Sequence, residues 1–549
     1  VATSRDYWDA YQGFSLHEEE DFLFCKAHDF GINAYTECCG RYAVTDPERA
    51  ALLYIDVDGN HETYSYGRLE ELTGKFANLL VACGVQAGDR VAALLPRTPE
   101  LLVAILGTLR LGAVYQPLFT AFGSRAVEQR LGGSGAKVVV VDAMNRSKLD
   151  KLTRSFQIVS VGIQGSAVPS SDMDFWKELG RQSSHFEPVQ RSKSDGMLFM
   201  STSGTTGSPK SLEVPIKAII SFMAYLRNGA DLRPDDKWWN VADPGWAFGL
   251  YIGVLGTLAL GQRTLFFNAP FTAESTIRII KEHGITNLAG SPTAFRLIMA
   301  GGEELVKPVK GQLRAVSSGG EPLNSEIIRW FADYLDVTVH DHYGQTEMGM
   351  VICHHHGLEH PVHPGATGFP SPGYRLAILD DDGNELPCGV PGVLAVDRRS
   401  SPLFWFTGYA GAAMTSEDAY FRSGDIMERN SDGSISFVGR SDDVITSSGY
   451  RIGPFDVESC LLEHPAVVDS AVVGKRDQVR TEIVKAFVVL HPSHLPSDRL
   501  IDELQQHVRA RLSSHSYPRE ITFVQQLPKT PSGKVQRFVL RQMENDQNP

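Results

Sequence analysis

Apolar positions in the first third of the chain recur at helical and then at strand spacing, in alternation. Leu69, Leu72, Phe76, Leu79, Leu80 and Cys83 fall on one helical face, and Gly84 supplies a stop. Arg90 to Leu95 is a short apolar run of strand length. Thr98-Pro99-Glu100 then reads as N-cap, first-turn proline and first-turn acid of a second helix ending near Gly112. Ser124 opens a third helix, and Val138 to Val141 forms a further buried strand. Helices between fully apolar strands predict parallel α/β layers.

Near residue 440 the texture changes to a polar stretch bearing glycine and aspartate, which runs to Arg451. Beyond it lie two β-like runs, Ser470 to Val473 and Ile483 to Leu490. A helix follows with Leu500, Leu504, Val508 and Leu512 at four-residue spacing. The expected organisation is an N-terminal segment (1–30), a large domain of layered α/β subdomains (31–438) and a small α+β C-terminal domain (439–549).

Composition narrows the function. A net charge of −13 argues against a general nucleic-acid binder. Seven thinly spread cysteines suit a reducing compartment better than a disulfide framework. No apolar run is long enough to span a bilayer; the stretch Leu101 to Leu118 is broken by Arg110 and Pro117. The opening VATSRDYWDAYQGF has no charged-then-apolar leader. A soluble, cytoplasmic protein is expected, or a mitochondrial matrix one if a transit peptide has been removed.

The strongest chemical signal is Ser201-Thr202-Ser203-Gly204-Thr205-Thr206-Gly207-Ser208-Pro209-Lys210, which follows the apolar run Met197 to Met200. Hydroxyls and glycines ahead of a lysine suit a loop that wraps phosphate oxygens, though a flexible linker has the same composition. It lacks the Gly-Lys-Ser/Thr of a Walker A loop.

Five further segments stand in order behind it: Ser318-Gly319-Gly320-Glu321-Pro322, Asp341-His342-Tyr343-Gly344-Gln345-Thr346-Glu347, Tyr420 to Asp425, Gly439 to Asp443 with Ser448-Gly449-Tyr450-Arg451, and Pro528 to Lys534. Together the six resemble the adenylate-forming superfamily of acyl-CoA synthetases, luciferases and peptide-synthetase adenylation domains. The resemblance runs from about residue 30 to 540. It implies an ATP-dependent acid–thiol ligase that forms an acyl-adenylate and passes the acyl group to CoA. The small domain would be mobile, pivoting at Asp442.

The resemblance also implies roles for individual residues. Lys534 is expected at the carboxylate and α-phosphate, with Thr346 beside the α-phosphate and Glu347 as the magnesium ligand. The 202–207 loop and Lys210 would hold phosphates. Gly320, Glu321, Pro322 and the backbone of Asp341, His342 and Tyr343 would frame adenine, with Gly344 and Gln345 in the same nucleotide motif. Asp425 would take the ribose hydroxyls, with Arg440 and Arg451 as further nucleotide contacts. Ser448, Gly449 and Tyr450 would line the CoA tunnel. The chemistry suits these tasks: two anions must be joined, which needs positioned cations, and magnesium prefers carboxylate and phosphate oxygen.

Asp243-Pro-Gly-Trp-Ala-Phe-Gly249 resembles the acyl-pocket segment of acetyl- and medium-chain acyl-CoA synthetases, which assigns Trp246, Ala247, Phe248, Gly319 and Gly344 to the acyl pocket. Acetate-specific relatives carry a tryptophan at the position of Gly344, so glycine there is expected to open space for a medium-chain, branched or aryl acid. The alternatives are an adenylating enzyme that loads a separate carrier protein, a catalytically dead family member and, more remotely, a luciferase-like oxidase. No carrier-like segment follows Arg537. The setting of Lys534 also resembles a site of lysine acetylation, which would remove its charge. Cys353-His354-His355-His356 lacks a second cluster at zinc spacing, so a structural metal is not expected there. His464 is expected as a helix-end histidine.

Overall fold

The computed structural model describes residues 5–23, 31–152, 156–162, 168–202, 209–363, 365–415, 417–447, 450–477, 480–512, 515–529 and 535–547; at Phe22, Leu23, Tyr450, Arg451, Asn545, Asp546 and Gln547 it describes the backbone alone. The alternation read from the sequence gives a seven-stranded sheet in the order Ser211–Pro215, Gly196–Ser201, Val114–Pro117, Arg90–Leu94, Val138–Asp142, Gln157–Val161, Met173–Asp174. Its neighbours run parallel except for the hairpin Gly196–Ser201/Ser211–Pro215. The helices Tyr66–Ala82, Pro99–Arg110 and Ser124–Gly132 stand where expected. Thr98 caps Pro99–Arg110 by position only, since its hydroxyl makes no cap bond.

A second sheet orders Trp238–Asn240, Asn287–Gly290, Ala315–Gly319, Val339–Gln345, Gly349–Cys353 and Phe369–Pro370, the first four parallel. Ligands gather beyond the carboxyl ends of parallel strands. Three of the sequence motifs run off such ends, at Ser201, Gly319 and Gln345. A four-stranded antiparallel sheet, Leu376–Leu379 to Ile435–Arg440, carries Asp425 on the strand Tyr420–Arg429.

The N-terminal helix Tyr7–Gln12 lies on the large domain. Tyr7 is buried and its hydroxyl donates to the carbonyl of Pro370 (2.8 Å), while Tyr11 donates to Tyr374 (3.0 Å). Beyond residue 440 a separate core forms around Val457, Leu461, Val484, Val488, Leu504 and Val508. The strands Val467–Asp477 and Thr481–Leu490 are longer than the apolar runs, because their outer halves are polar. The apolar stripe of the helix Asp498–Arg511 stops at Val508; Leu512 is the C-cap residue and is 41% exposed. No helix among the described residues is long and apolar enough to cross a membrane.

Candidate active site

The site is built from loops at strand ends, tied together by one buried carboxylate. Asp425, 5% exposed, accepts from the Tyr343 hydroxyl (2.5 Å) and the Gln345 amide (2.8 Å). Arg440 lies 3.6 Å from its other oxygen and also donates to Asp442 (2.9 Å). Alternation along Val339–Gln345 puts Tyr343 and Gln345 on the face that meets Asp425. Asp425 and Arg440 are cross-strand partners, so their approach is set by register. Burial pushes the Tyr343 phenol up, and the neighbouring Asp425 charge pushes it further, so it stays a donor to that carboxylate.

His342 points away from this corner. Its Nε2–H donates to the carbonyl of His354 (3.1 Å) and its Nδ1 faces the Tyr225 hydroxyl at 2.7 Å, an arrangement that fits a neutral ring. Burial holds its pKa well below the usual histidine value. Gly320 has φ +89°, a left-handed turn directly after the strand Ala315–Gly319. The carboxylate of Glu321 is bonded to Thr293 (2.7 Å) and lies 3.4 Å from Arg296, so this side chain anchors the turn to a neighbouring helix.

Glu347, 7% exposed, accepts from the Tyr409 hydroxyl (2.7 Å), and the Lys210 ammonium stands 5.0 Å from the centre of the same tyrosine ring. Desolvation raises the Glu347 pKa, and the charge of Asp425 adds to it. A hard divalent cation beside this carboxylate would relieve both effects, and ATP would supply its other oxygen ligands. The residues therefore fit magnesium. Among the described residues no group of three or more His, Cys, Asp or Glu could hold a metal by itself, the Cys353–His356 run included. Thr346 lies beside Glu347, its carbonyl held by Tyr251 (3.1 Å). Sequence reasoning missed Tyr409: nothing in Thr407-Gly-Tyr-Ala-Gly411 but its glycines distinguishes it.

The segment expected to hold phosphates connects the strands of the hairpin Gly196–Ser201/Ser211–Pro215, and its base is closed by Thr202 N–H bonded to the Lys210 carbonyl (2.8 Å). Ser203, Gly204, Thr205, Thr206 and Gly207 lie outside the described residues, as do Ser448, Gly449 and Lys534. The side chains of Tyr450 and Arg451 are likewise outside the description; their backbone forms the strand Tyr450–Ile452, paired with Ile445–Ser447.

The structure corrects the reading of Gly344. A Cβ there would sit 2.0 Å from the carbonyl oxygen of Gly349 and 2.8 Å from Met350 Cα. Glycine is demanded by a close backbone approach at a bulge between Tyr343 and Gly344, not by space left open for substrate. The acyl-pocket residues also divide. A Cβ at Gly319 would lie 3.3 Å from Phe248 Cζ and 3.2 Å from Met350 Cε, which places these three together. Trp246 packs on Phe119 and Phe122 at centroid distances of 5.6 and 5.5 Å. Ala247 and Phe248 pack on the core that contains Met350. Met350 was missed because the acyl side of the sequence was read only from the Trp246 segment and two glycines. His464 sits just past the helix Pro454–Leu462, 8% exposed, with Glu503 at 3.2 Å.

These features fit an adenylate-forming enzyme: charged side chains gathered beyond the ends of parallel strands, beside a small C-terminal domain. Residues 40–409 match the family described as AMP-binding enzyme, and residues 456–534 match the AMP-binding enzyme C-terminal domain. The chain belongs to this family. It is 37% identical over 522 residues to an acetyl-coenzyme A synthetase of Bacillus subtilis (strain 168), covering 93% of this chain and 91% of that protein. The crystal structure of a Brucella canis acyl-CoA synthetase superposes with a TM-score of 0.80 at 52% identity, over 99% of this chain and 100% of that one. An anthranilate CoA ligase in complex with anthranoyl-AMP gives a TM-score of 0.84 at 25% identity, over 95% and 99%. The chemistry is thus that of ATP-dependent, AMP-forming acyl-CoA synthetases, with magnesium and CoA as the family requires.

Proposed function

We propose that the protein activates a medium-chain, branched or aryl carboxylate larger than acetate, with Asp425 and Arg440 seating the ribose and Lys534 completing the adenylation site. The observation that carries this reading is the Asp425 corner, where Tyr343, Gln345 and Arg440 converge on one buried carboxylate. Its charge and acceptor chemistry match a vicinal diol. Lys210, Thr202 and the loop between them approach the phosphates, and Thr346 approaches the α-phosphorus. Magnesium held by Glu347 would offset phosphate charge. Lys534 would stabilise the charge that develops as the substrate carboxylate attacks the α-phosphorus and pyrophosphate leaves. The CoA thiol would then reach the acyl carbon past Ser448, Gly449 and Tyr450, releasing AMP.

The domain boundaries follow from this mechanism, with Asp442 as pivot between a body of residues 31–438 and a mobile unit of residues 439–549. Phe248, Gly319 and Met350 form the acyl wall in this reading. Its size preference rests on the movable ends of Phe248 and Met350, since Gly344 lends no space. The kinship with an anthranilate ligase favours admitting an aryl acid. Cys38, Cys39, Cys83, Cys353, Cys388 and Cys460 are free thiols, which suits the cytoplasm or the mitochondrial matrix. Acetylation of Lys534 would silence adenylation by removing its charge.

The test is incubation with ATP, magnesium, CoA and an acid series from acetate to decanoate plus benzoate, followed by mass spectrometry. Acyl-CoA from an acid larger than acetate is expected. An optimum at acetate overturns the acid assignment, and adenylate without thioester selects the carrier-loading alternative. Lys534→Ala should lower ATP–pyrophosphate exchange by about 10²–10³.

A further inference from the structure

The helix Arg537–Gln547 begins three residues after Lys534 and is fastened on two sides. On one side Leu540 packs with Ala471, Val473 and Phe487, and Glu544 pairs with Lys485 (2.5 Å) and Lys475 (3.4 Å). On the other side it grips the pivot. Arg541 donates to the backbone carbonyl of Asp442 (3.0 Å) and pairs with the Asp443 carboxylate. Arg537 reaches Asp443 at 3.7 Å and holds both oxygens of the buried Glu458 (2.8 and 2.7 Å). Just ahead of the helix, a bridge between Lys529 and Val535 closes the base of the segment that bears Lys534, and Gln536 N–H bonds Pro528 (2.9 Å).

We propose that Arg541 is a positioning residue for adenylation: its grip on Asp442 and Asp443 couples rotation at the pivot to the placement of Lys534. The proposal rests on the two-step, pivoting reading given above. Its physical basis is a difference in chain connection. The loop with Ser448 and Gly449 follows Asp443 after a few residues and is carried by the hairpin Ile445–Ser447/Tyr450–Ile452, whose register ties it to the sheet at Thr481. Lys534 follows the pivot only after some ninety intervening residues, roughly, and this ion pair closes that long excursion. On the other side of the pivot, Arg440 donates to Asp442 (2.9 Å) and forms an ion pair with Asp425 at 3.6 Å. The ribose carboxylate, the pivot and the lysine helix therefore form one chain of charges. Asp443 and Arg541 both lie beyond the pivot, so their contact turns with the small domain.

Loss of the clamp should impair the half-reaction that needs the lysine and spare the one that needs the loop. Arg541→Gln should lower ATP–pyrophosphate exchange on the order of 10- to 100-fold, the usual effect of displacing a reacting group by about 1 Å. Thioester formation from supplied acyl-adenylate and CoA should be unchanged, as should the KM for ATP. Asp443→Asn should reproduce the defect, the double variant should be no worse than either single one, and Arg541→Lys should recover part of the rate. Thermal unfolding of each variant separates this from misfolding, since a folding defect lowers both half-reactions together. Equal losses in both half-reactions, no loss in exchange, or multiplying losses in the double variant would each overturn the clamp. A wild-type protein with no exchange for any acid in the series would overturn the adenylating reading, and the clamp with it.

Discussion

The strand Val339–Gln345 carries two faces that handle burial in opposite ways. On one, Tyr343 and Gln345 meet a charged partner, Asp425, which Arg440 balances. On the other, His340 and His342 meet neutral groups: the carbonyl of His354, the Tyr225 hydroxyl and the ring of His356, stacked 3.7 Å from His340. Gly319 lies directly across from His342, so the proposed acyl wall would belong to the neutral face. At Asp425 a charge is kept and paired with Arg440; at His342 burial disfavours the charge and neutral partners replace it. Substitutions should therefore act through electrostatics on the first face and through packing or protonation on the second.

The largest effect is expected on the charged face. Asp425→Asn keeps shape but removes the charge that holds Arg440 and that is proposed to bind ribose. A hydrogen bond to a charged group contributes about 1.5–3 kcal/mol, so the KM for ATP should rise on the order of 10- to 100-fold. Steady-state kinetics in ATP checks this. An unchanged KM would remove Asp425 from the nucleotide site and leave the corner a purely structural knot.

A buried histidine outside this strand, in the His354–His356 run that His340 and His342 contact, should show the same loss of charge in acid. His355, 2% exposed and stacked on Tyr7 at 5.6 Å, has its pKa lowered to about 3, by burial first and by the His360 charge next. A histidine whose folded pKa lies below its unfolded value near 6.5 costs no stability above that pH. Below it the unfolded chain takes up a proton that the folded one refuses, and stability falls until about pH 3. Between pH 6.5 and 5 this amounts to about 2 kcal/mol for one histidine. Asp456, raised to about 6 by burial, runs the other way, so the difference between two proteins is the clean measure. His355→Phe should gain about 2 kcal/mol on the wild type at pH 5 relative to pH 7.5 in urea unfolding. Parallel pH profiles would show that this ring does not stay neutral in the fold.

A smaller effect should follow on the charged face from Tyr409→Phe, which keeps the ring beneath Lys210 and deletes the hydrogen bond to Glu347. The magnesium concentration for half-maximal exchange should rise about fivefold, or ~1 kcal/mol, while the KM for the acid stays constant. A change in the acid KM alone would move Tyr409 from the metal side of the site to the acyl side.

The same division explains what the sequence could reveal. Lys210, Glu347, Asp425 and Arg440 were singled out because charged groups at a family's motif positions have few other reasons to be there, and the structure pairs Arg440 with Asp425 and brings Glu347 and Lys210 to Tyr409. The α/β layers were legible because apolar runs and Pro99, Gly84 and Gly112 punctuate them plainly. Gly344 was misread because a glycine has no side chain to declare its purpose; only the 2.0 Å approach to the Gly349 carbonyl shows that backbone, not substrate, occupies the space. Tyr409 and Met350 were overlooked because their value lies in what they touch, and those partners are 62 residues away in one case and across a strand pair in the other. Trp246 packing on Phe119 and Phe122 was equally out of reach, since a tryptophan in a glycine-rich turn reads the same whether it lines a pocket or a core.

The finest test concerns the acyl wall, where no charge changes at all. Gly344→Trp would not be informative, because the clash with backbone would disturb the whole strand. Gly319→Ala is: Gly319 needs no positive φ, and the new methyl would press on Phe248 Cζ and Met350 Cε at 3.3 and 3.2 Å, the far ends of side chains that can yield by a few tenths of an ångström. If these residues bound the acyl chain, the added carbon displaces one carbon of substrate. One buried methylene is worth about 0.8 kcal/mol, so kcat/KM for the longest good acid should fall about fourfold while shorter acids are little affected. Phe248→Ala should shift the optimum the opposite way. A uniform loss across the acid series would mean that Gly319 and Phe248 serve the fold alone, and that selectivity is set elsewhere, with Trp246 and its two phenylalanines the next wall to alter.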